Sequence, residues 1–258
     1  MRPRIPASLR RLKPFLAGVA LGLVLLATVG VALAEPAPPT PYDALLKANV
    51  RDGVVNYPGF EGNPAFRAYL DALGRPGAPA GRGERLAHYI NAYNALAIEG
   101  ILEGLSPSTL FGRVRYFKFK DWPLDGRAIN LYDLEHKVIR PLNEPRIHFA
   151  IVCASKSCPP LRSEAYATAA IDAQLDDQAR RFVNDPSRNR FDAAARVAHL
   201  SEIFSWFDDD FRAAAGSTQR FIARYVADSA VARGLAEDAF KVEFVPYDWN
   251  LNGIAPRH

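Results

Sequence analysis

The sequence is poor in cysteine: it has only two in 258 residues, Cys153 and Cys158, and both fall in one short stretch. Two cysteines are too few for a disulfide scaffold, so the fold has to be stabilised by its hydrophobic core. The chain also lacks Cys-x-x-Cys and His-x-x-x-His pairs, and the acidic run 208–210 lacks the glycine and spaced ligands of a calcium loop. We therefore expect neither a metal site nor a cofactor.

The apparent basicity of the chain comes from its first residues. Residues 1–34 contain five basic side chains, then an apolar run over residues 15–34 that ends in small residues. This pattern predicts a signal peptide or an uncleaved N-terminal anchor, and an exported protein that is periplasmic or extracellular. Without these five residues the formal charge of +4 becomes about −1. No basic stripe then remains, so we expect no nucleic-acid partner, and membrane contact only through residues 15–34.

Helical patterns dominate the rest of the chain. Residues 35–41 are rich in proline and predict an extended spacer, and residues 42–258 show no repeat or second linker. Strand patterns cluster near the cysteines and the C-terminus. The sequence therefore predicts one helix-rich α+β domain around a small β-sheet, with a papain-like or transglutaminase-like arrangement as one form of it. The predicted elements are helices 84–102, 131–140, 168–184, 201–211 and 217–233, a hairpin at 123–129 and a last strand at 241–246.

Two of the predicted helices carry polar residues close to apolar faces. Asn91 and Asn94 lie on the strongest helix, and a buried amide needs partners for its donors and its acceptor. They either satisfy nearby backbone or orient a catalytic group. On the helix over residues 131–140, Glu135 lies beside the apolar stripe and His136 at its margin. A carboxylate at such a position is costly unless it is paired.

Both cysteines follow an apolar run. Ile147–Cys153 predicts a buried strand with Cys153 at its C-terminal end, and the residues up to Pro160 predict a loop. A thiol there becomes a nucleophile only if a nearby group lowers its pKa. In a regular strand, residues five apart point to opposite faces, which would turn His148 away from Cys153.

His136 is therefore the predicted general base for a Cys153 nucleophile. Glu135 or Asn91 would fix the tautomer of its imidazole. Backbone amides of residues 154–157, with the hydroxyls of Ser155 and Ser157, would supply an oxyanion site.

Four separated segments of the chain, 89–96, 134–140, 147–161 and 247–252, resemble the family called domain of unknown function 547. The resemblance covers roughly residues 42–252 and names no activity. Plant members often carry Ser-Ser-Pro where this chain has residues 157–159, which favours Cys153 as the functional thiol. The recurring polar positions of the family correspond here to Asn91, Asn94, Glu135, His136, Arg140, His148 and Cys153.

The sequence leaves three functions open. The first is a cysteine-dependent hydrolase or acyl or amide transferase that acts on an envelope peptide or a small thiol or amide compound. Its predicted substrate-binding residues are Asn94, Arg140, His148, Ser155 and Ser157. The second is a non-enzymatic envelope binding module with a Cys153–Cys158 disulfide, whose partner groove is lined by the aromatics of residues 111–122. Thiol redox exchange ranks last, because the cysteine spacing is not Cys-x-x-Cys.

Overall fold

Helices make up most of the part of the chain that the computed structural model describes, residues 40–257. The predicted export segment 1–34 and the spacer up to residue 39 lie outside these residues. Pro41 already belongs to the first helix, capped by the Thr40 side chain, so the spacer ends earlier than predicted. The α-helices are α1 (Pro41–Asn49), α2 (Pro64–Leu73), α3 (Arg82–Leu102), α4 (Leu110–Val114), α5 (Leu131–Asp133), α6 (Ile171–Val183), α7 (Ile203–Trp206), α8 (Asp208–Ala215), α9 (Thr218–Ala223) and α10 (Ser229–Ala236).

The strands form three small sheets, which confirms the α+β class but replaces the single sheet expected. The sheets have the orders β1-β2-β8, β3-β4 and β5-β6-β7. The predicted hairpin is present, with Asp125 and Gly126 both at positive φ, as a two-residue turn requires. The strands are β1 (Val50–Arg51), β2 (Val54–Asn56), β3 (Trp122–Leu124), β4 (Arg127–Ile129), β5 (Arg190–Asp192), β6 (Val197–Ser201), β7 (Lys241–Val245) and β8 (Gly253–Ile254).

The helices of the C-terminal third are shorter than predicted. The helix expected over 201–211 starts later, because Ser201 is still part of β6, and it divides into α7 and α8 at Phe207, whose φ of −120° and ψ of 25° are not helical. The helix expected over 217–233 divides into α9 and α10, because Asp228 caps a new helix by accepting hydrogen bonds from two backbone amides. Among residues 40–257, no helix has the length and hydropathy needed to span a bilayer.

The predicted strand over Ile147–Cys153 is wrong. Pro145–Phe149 forms a 3₁₀ turn, and the chain then bends through residues 150–152. The apolar residues are buried without a neighbouring strand because Asn94 takes the place of one. Its side-chain amide donates to the carbonyl of Ala150 at 3.0 Å, and its oxygen accepts from the amide of Val152 at 2.8 Å.

Two hydrophobic clusters fill the interior of the described chain. One surrounds α3, whose buried face includes Ile90, Tyr93 and Leu96. The other is rich in phenylalanine, and its members include Phe149, Phe182, Phe204, Phe211 and Phe221. The turn Pro145–Phe149 joins them, since Ile147 belongs to the first cluster and Phe149 to the second. Burial of each such side chain stabilises the fold by about 1.5–3 kcal/mol.

The cysteine loop is fixed by the C-terminal segment, which runs antiparallel beside it. The amides of Lys156 and Ser157 donate to the carbonyls of Asn250 and Asp248, at 2.8 and 3.1 Å. Beyond this contact, β8 pairs in parallel with β2. The last residues of the chain thus hold the loop that contains both thiols.

Candidate functional site

A pocket of about 380 Å³ lies where the two hydrophobic clusters meet. Its walls combine aromatic rings with a few polar groups, as in small-molecule sites. Cys153, Glu135, His136 and His148 all line it, although they come from three separate parts of the chain. The remaining lining residues are Tyr93, Arg113, Val114, Phe117, Lys118, Tyr132, Ile151, Cys158, Pro159, Ile203, Trp206, Phe207, Tyr247 and Trp249.

The Cys153 thiol is half-buried and surrounded by hydrogen-bonding groups. Its Sγ lies 3.0 Å from Ser155 Oγ, 3.3 Å from the Tyr247 hydroxyl and 2.7 Å from Cys158 Sγ. Burial raises the pKa of Cys153, but the hydrogen bonds from Cys158, Ser155 and Tyr247 outweigh it and lower the pKa to about 7. A substantial fraction of this thiol is therefore ionised at neutral pH.

Neither cysteine is in a disulfide bond, and the pKa values of the two thiols are shifted in opposite directions. Cys158 is 3 % exposed, and burial together with its bond to Cys153 raises its pKa. It therefore stays protonated and donates to the Cys153 thiolate. It also accepts a hydrogen bond from the backbone amide of Cys153 at 2.8 Å. The distance between the two sulfur atoms exceeds the roughly 2.05 Å of a disulfide bond.

Ala154, the residue after the thiol, adopts a left-handed conformation with φ of 64°. An alanine there costs about 1 kcal/mol, which the surrounding contacts must offset. Its carbonyl accepts from the amide of Asn252 at 3.0 Å, and Ser155 bridges to Leu251. The sharp turn orients the Cys153 side chain toward the pocket while the following residues pair with the C-terminal segment.

Glu135 is a buried residue of the pocket wall, and none of the described Lys or Arg side chains forms an ion pair with it. The helix that begins with α5 continues over Leu134–Ile139 as a wider π-helical turn, and Glu135 points inward from it. Burial raises the pKa of Glu135 to about 8, and the nearby Cys153 adds to the rise. At neutral pH Glu135 is therefore a carboxylic acid, able to donate a proton.

His148 is fully buried and lies between Glu135 and the ion pair of Arg140 with Asp210. Its Nε2 donates to Asp210 Oδ2 at 2.7 Å, and Arg140 makes two parallel hydrogen bonds to the same carboxylate, at 2.8 and 2.9 Å. Burial lowers the pKa of His148, so its ring is neutral and Nδ1 is an acceptor. Nδ1 has no hydrogen-bond partner among the described residues and lies 3.9 Å from Glu135 Oε1.

His136, the base predicted from the sequence, also lines the pocket but has different partners. Its Nδ1 lies 3.0 Å from the carbonyl of Tyr132, one turn earlier, and its ring stacks on that of Tyr132 at 4.0 Å. Burial lowers the pKa of His136. Within residues 40–257, no hydrogen bond connects a histidine to Cys153 Sγ. The prediction that His148 faces away from Cys153 is wrong, because Pro145–Phe149 is a 3₁₀ turn instead of a strand and both residues line the pocket.

Of the remaining predicted site residues, one contacts the thiol and the others stabilise the surrounding backbone. Ser155 contacts the thiol directly, whereas the Ser157 hydroxyl accepts from the amide of Asp248. Asn91 exchanges hydrogen bonds with the backbone of Tyr166 and does not line the pocket. The oxyanion site expected from residues 154–157 is also reduced, because the amides of residues 156 and 157 are bonded to the C-terminal segment.

Two residues of the site were missed by sequence reasoning. Asp210 belongs to a run of three aspartates that is typical of a solvated helix end, yet it binds both Arg140 and His148. Although burial opposes it, these hydrogen bonds hold the pKa of Asp210 well below its usual range. Tyr247 lies 94 positions from Cys153. Tyr247 could have been found from the sequence, because it lies in segment 247–252, the last of the four segments that resemble the family.

The described residues include no group of three or more His, Cys, Asp or Glu side chains arranged to hold a metal ion. The arrangement is that of a pocket with an ionisable thiol, a buried acid and a neutral imidazole. Residues 79–183 match the family model described as protein of unknown function, DUF547. The matched region therefore belongs to this family, and it includes Glu135, His148 and Cys153. No curated protein and no solved structure matches the chain significantly.

Proposed function

We propose that this protein is a cysteine-dependent hydrolase or acyl or amide transferase with Cys153 as its nucleophile. The observation that carries the proposal is a partly ionised thiol in a 380 Å³ pocket that also contains a protonated, buried Glu135. The expected setting is the cell envelope, with a peptide or a small thiol or amide compound as substrate.

In the first step the Cys153 thiolate attacks the substrate carbonyl carbon. An S–C bond forms, and the carbon–nitrogen or carbon–oxygen bond to the leaving group breaks. The leaving group takes a proton from Glu135, which becomes a carboxylate. In the second step this carboxylate removes a proton from water, or from an acceptor nucleophile, which attacks the thioester and releases Cys153 as a thiolate. Hydrolysis consumes one water molecule and restores both groups.

His148 and Asp210 support Glu135 from behind. Because Nε2–H is committed to Asp210, the free Nδ1 acceptor faces the carboxyl group of Glu135. In the resting state, a small closure of the 3.9 Å gap would let Glu135 direct its single proton to Nδ1 and fix the orientation of the carboxyl group; the O–H then turns to the leaving group when it protonates that group. The pair then acts as an orienter of the acid, in the way a carboxylate orients the histidine of a catalytic triad.

The Tyr247 hydroxyl is the best-placed donor for the oxyanion that forms at the carbonyl. It lies 3.3 Å from the thiol sulfur and 3.0 Å from Ser155 Oγ, and its proton, which the resting thiolate accepts, turns to the oxyanion once the sulfur has formed its bond to carbon. Burial raises the pKa of Tyr247, so the phenol stays protonated across the working pH range.

Acetylation by p-nitrophenyl acetate tests the proposal without knowledge of the natural substrate. We expect one acetyl group on Cys153 by peptide mass spectrometry, none in Cys153→Ala, and slower but intact labelling in Cys158→Ala. The slowing follows because Cys158 donates to the thiolate and lowers its pKa. Labelling that survives in Cys153→Ala and disappears in Cys158→Ala would refute the assignment.

A binding module with a Cys153–Cys158 disulfide is the second candidate. It is favoured by the short distance between the two sulfurs and by the strong exposure of Phe111 and Phe119, at 68 % and 70 %. Intact mass before and after reduction separates the two functions. A gain of two hydrogens on reduction supports the module, and a thiol that alkylates without reduction supports the enzyme.

A further inference from the structure

The pocket carries two cations that no carboxylate neutralises. Arg113 lies in α4 and Lys118 in the π-helical turn that follows it, and both line the pocket. Neither forms an ion pair within the described part of the chain, whereas Lys120 pairs with Glu103. The side chain of Arg113 makes one long hydrogen bond, at 3.4 Å, to the carbonyl of Pro107. Both charges therefore remain available to a ligand.

Each of these cations lies over an aromatic ring of the pocket wall. The guanidinium carbon of Arg113 is 4.5 Å from the ring centre of Trp249, and Lys118 Nζ is 4.2 Å from that of Tyr132. The Trp249 ring packs against Trp206 at 5.6 Å and Tyr247 at 4.5 Å. A flat or apolar group can pack on these rings while a charge attached to it meets a cation at their edge.

Among the described residues that line the pocket, none carries a fixed negative charge that would repel such a ligand. Glu135 is the one acidic side chain among the lining residues, and its raised pKa keeps it neutral at pH 7. The lowered pKa values of His136 and His148 leave both rings uncharged. The Cys153 thiolate is then the main negative group, and the two cations more than balance it.

From this geometry we infer that the pocket binds small acyl compounds whose flat or apolar body carries an anionic group, and that Arg113 and Lys118 bind that group. The inference rests on the proposed function for the position of the reacting carbonyl and adds the class of substrate. A volume of about 380 Å³ suits a small molecule or one large side chain.

Alkylation of Cys153 by two reagents of equal size tests the role of the charges. In each reaction the thiolate forms an S–C bond and iodide leaves, but iodoacetate is an anion and iodoacetamide is neutral. We expect the Arg113→Gln, Lys118→Gln double variant to lower the ratio of the iodoacetate rate to the iodoacetamide rate about tenfold; the ratio cancels any effect of the two charges on the thiolate itself. Arg115→Gln, an exposed cation of the same segment outside the pocket, should change neither rate. Arg113→Lys should keep most of the preference.

Binding of two dyes gives a second measurement that does not depend on the thiol. Anilinonaphthalene sulfonate is anionic, and phenylnaphthylamine is its neutral counterpart; both can be followed by energy transfer from Trp206 and Trp249. The double variant should weaken binding of the sulfonate about tenfold relative to the neutral dye. An unchanged ratio in the dye experiment overturns the inference. A wild-type Cys153 that reacts with neither iodo reagent overturns the proposed function instead, and the dye ratio then decides the inference alone.

Discussion

The two histidines of the pocket, His136 and His148, lie in regions of opposite character. The helix that carries His136 places the ring at the pocket margin, stacked on Tyr132 and bonded to its own backbone. The turn that carries His148 buries the ring completely, stacks it on Phe207 at 3.8 Å and bonds it to Asp210. The first histidine is held by local contacts within one helix. The second is held by residues that are 59 or more positions distant in sequence.

This difference shows why the buried histidine is the better candidate for the proposed chemistry. A ring with one nitrogen bonded to a carboxylate has a defined tautomer, and its other nitrogen has a defined role. His136 has no such carboxylate partner in the described residues. Its stacking on Tyr132 instead suits a wall of the substrate pocket.

Replacing each of the two histidines in turn tests this difference most directly, and it has the largest expected effect. We expect His148→Gln to lower turnover of p-nitrophenyl acetate about 100-fold, because Glu135 loses its orienting partner. The matched variant His136→Gln should stay within about threefold of the wild type. The pH profile should shift in His148→Gln only, which separates a positioning role from general destabilisation. A large loss in His136→Gln with a small one in His148→Gln would restore His136 as the base.

Removing the carboxylate behind His148 should destabilise the fold. We expect Asp210→Asn to lower the free energy of unfolding by about 1.5 kcal/mol near pH 7, because Arg140 loses a charged, bidentate partner at a partly exposed site. The native carboxylate has a pKa below that of the unfolded chain, so its contribution is present above about pH 4 and is lost as the pH falls further. The gap between variant and wild type in urea unfolding should therefore shrink at low pH. Asp209→Asn, on the exposed side of the same turn, is the control.

Replacing Glu135 should have the opposite effect on stability. Its native pKa of about 8 lies above the unfolded value of about 4.3, so ionisation of the unfolded chain destabilises the wild type as the pH rises between these values. We expect Glu135→Gln to be more stable than the wild type by about 2 kcal/mol at pH 8 and equal to it at pH 4. Turnover should fall in the same variant. Equal stability at both pH values would show that Glu135 is ionised in the native state.

Local patterns predicted the elements that depend on neighbouring residues. In α3, apolar residues recur at helical spacing. In the hairpin, the Asp-Gly pair favours a two-residue turn because both of its residues tolerate the positive φ that such a turn requires. For the stretch Ile147–Cys153, the same local reasoning predicted a strand, and that prediction is wrong. Its hydrophobicity correctly indicated burial, but Asn94, more than 50 positions earlier, supplies the hydrogen bonds that a strand would need.

The sequence by itself determined that Cys153 is the thiol to examine, that Glu135 lies on a buried face and that His136 borders a cleft. The positions of Glu135 and His136 follow from helical periodicity, which is a property of adjacent residues, whereas Cys153 was favoured by the family resemblance. Only the tertiary structure decided which groups surround the thiol. Tyr247 and Asp210 reach the pocket through packing of the C-terminal segment and of α8, and such long-range contacts have no local signature in the chain. The same packing removes Glu135 from water and so decides that it is an acid.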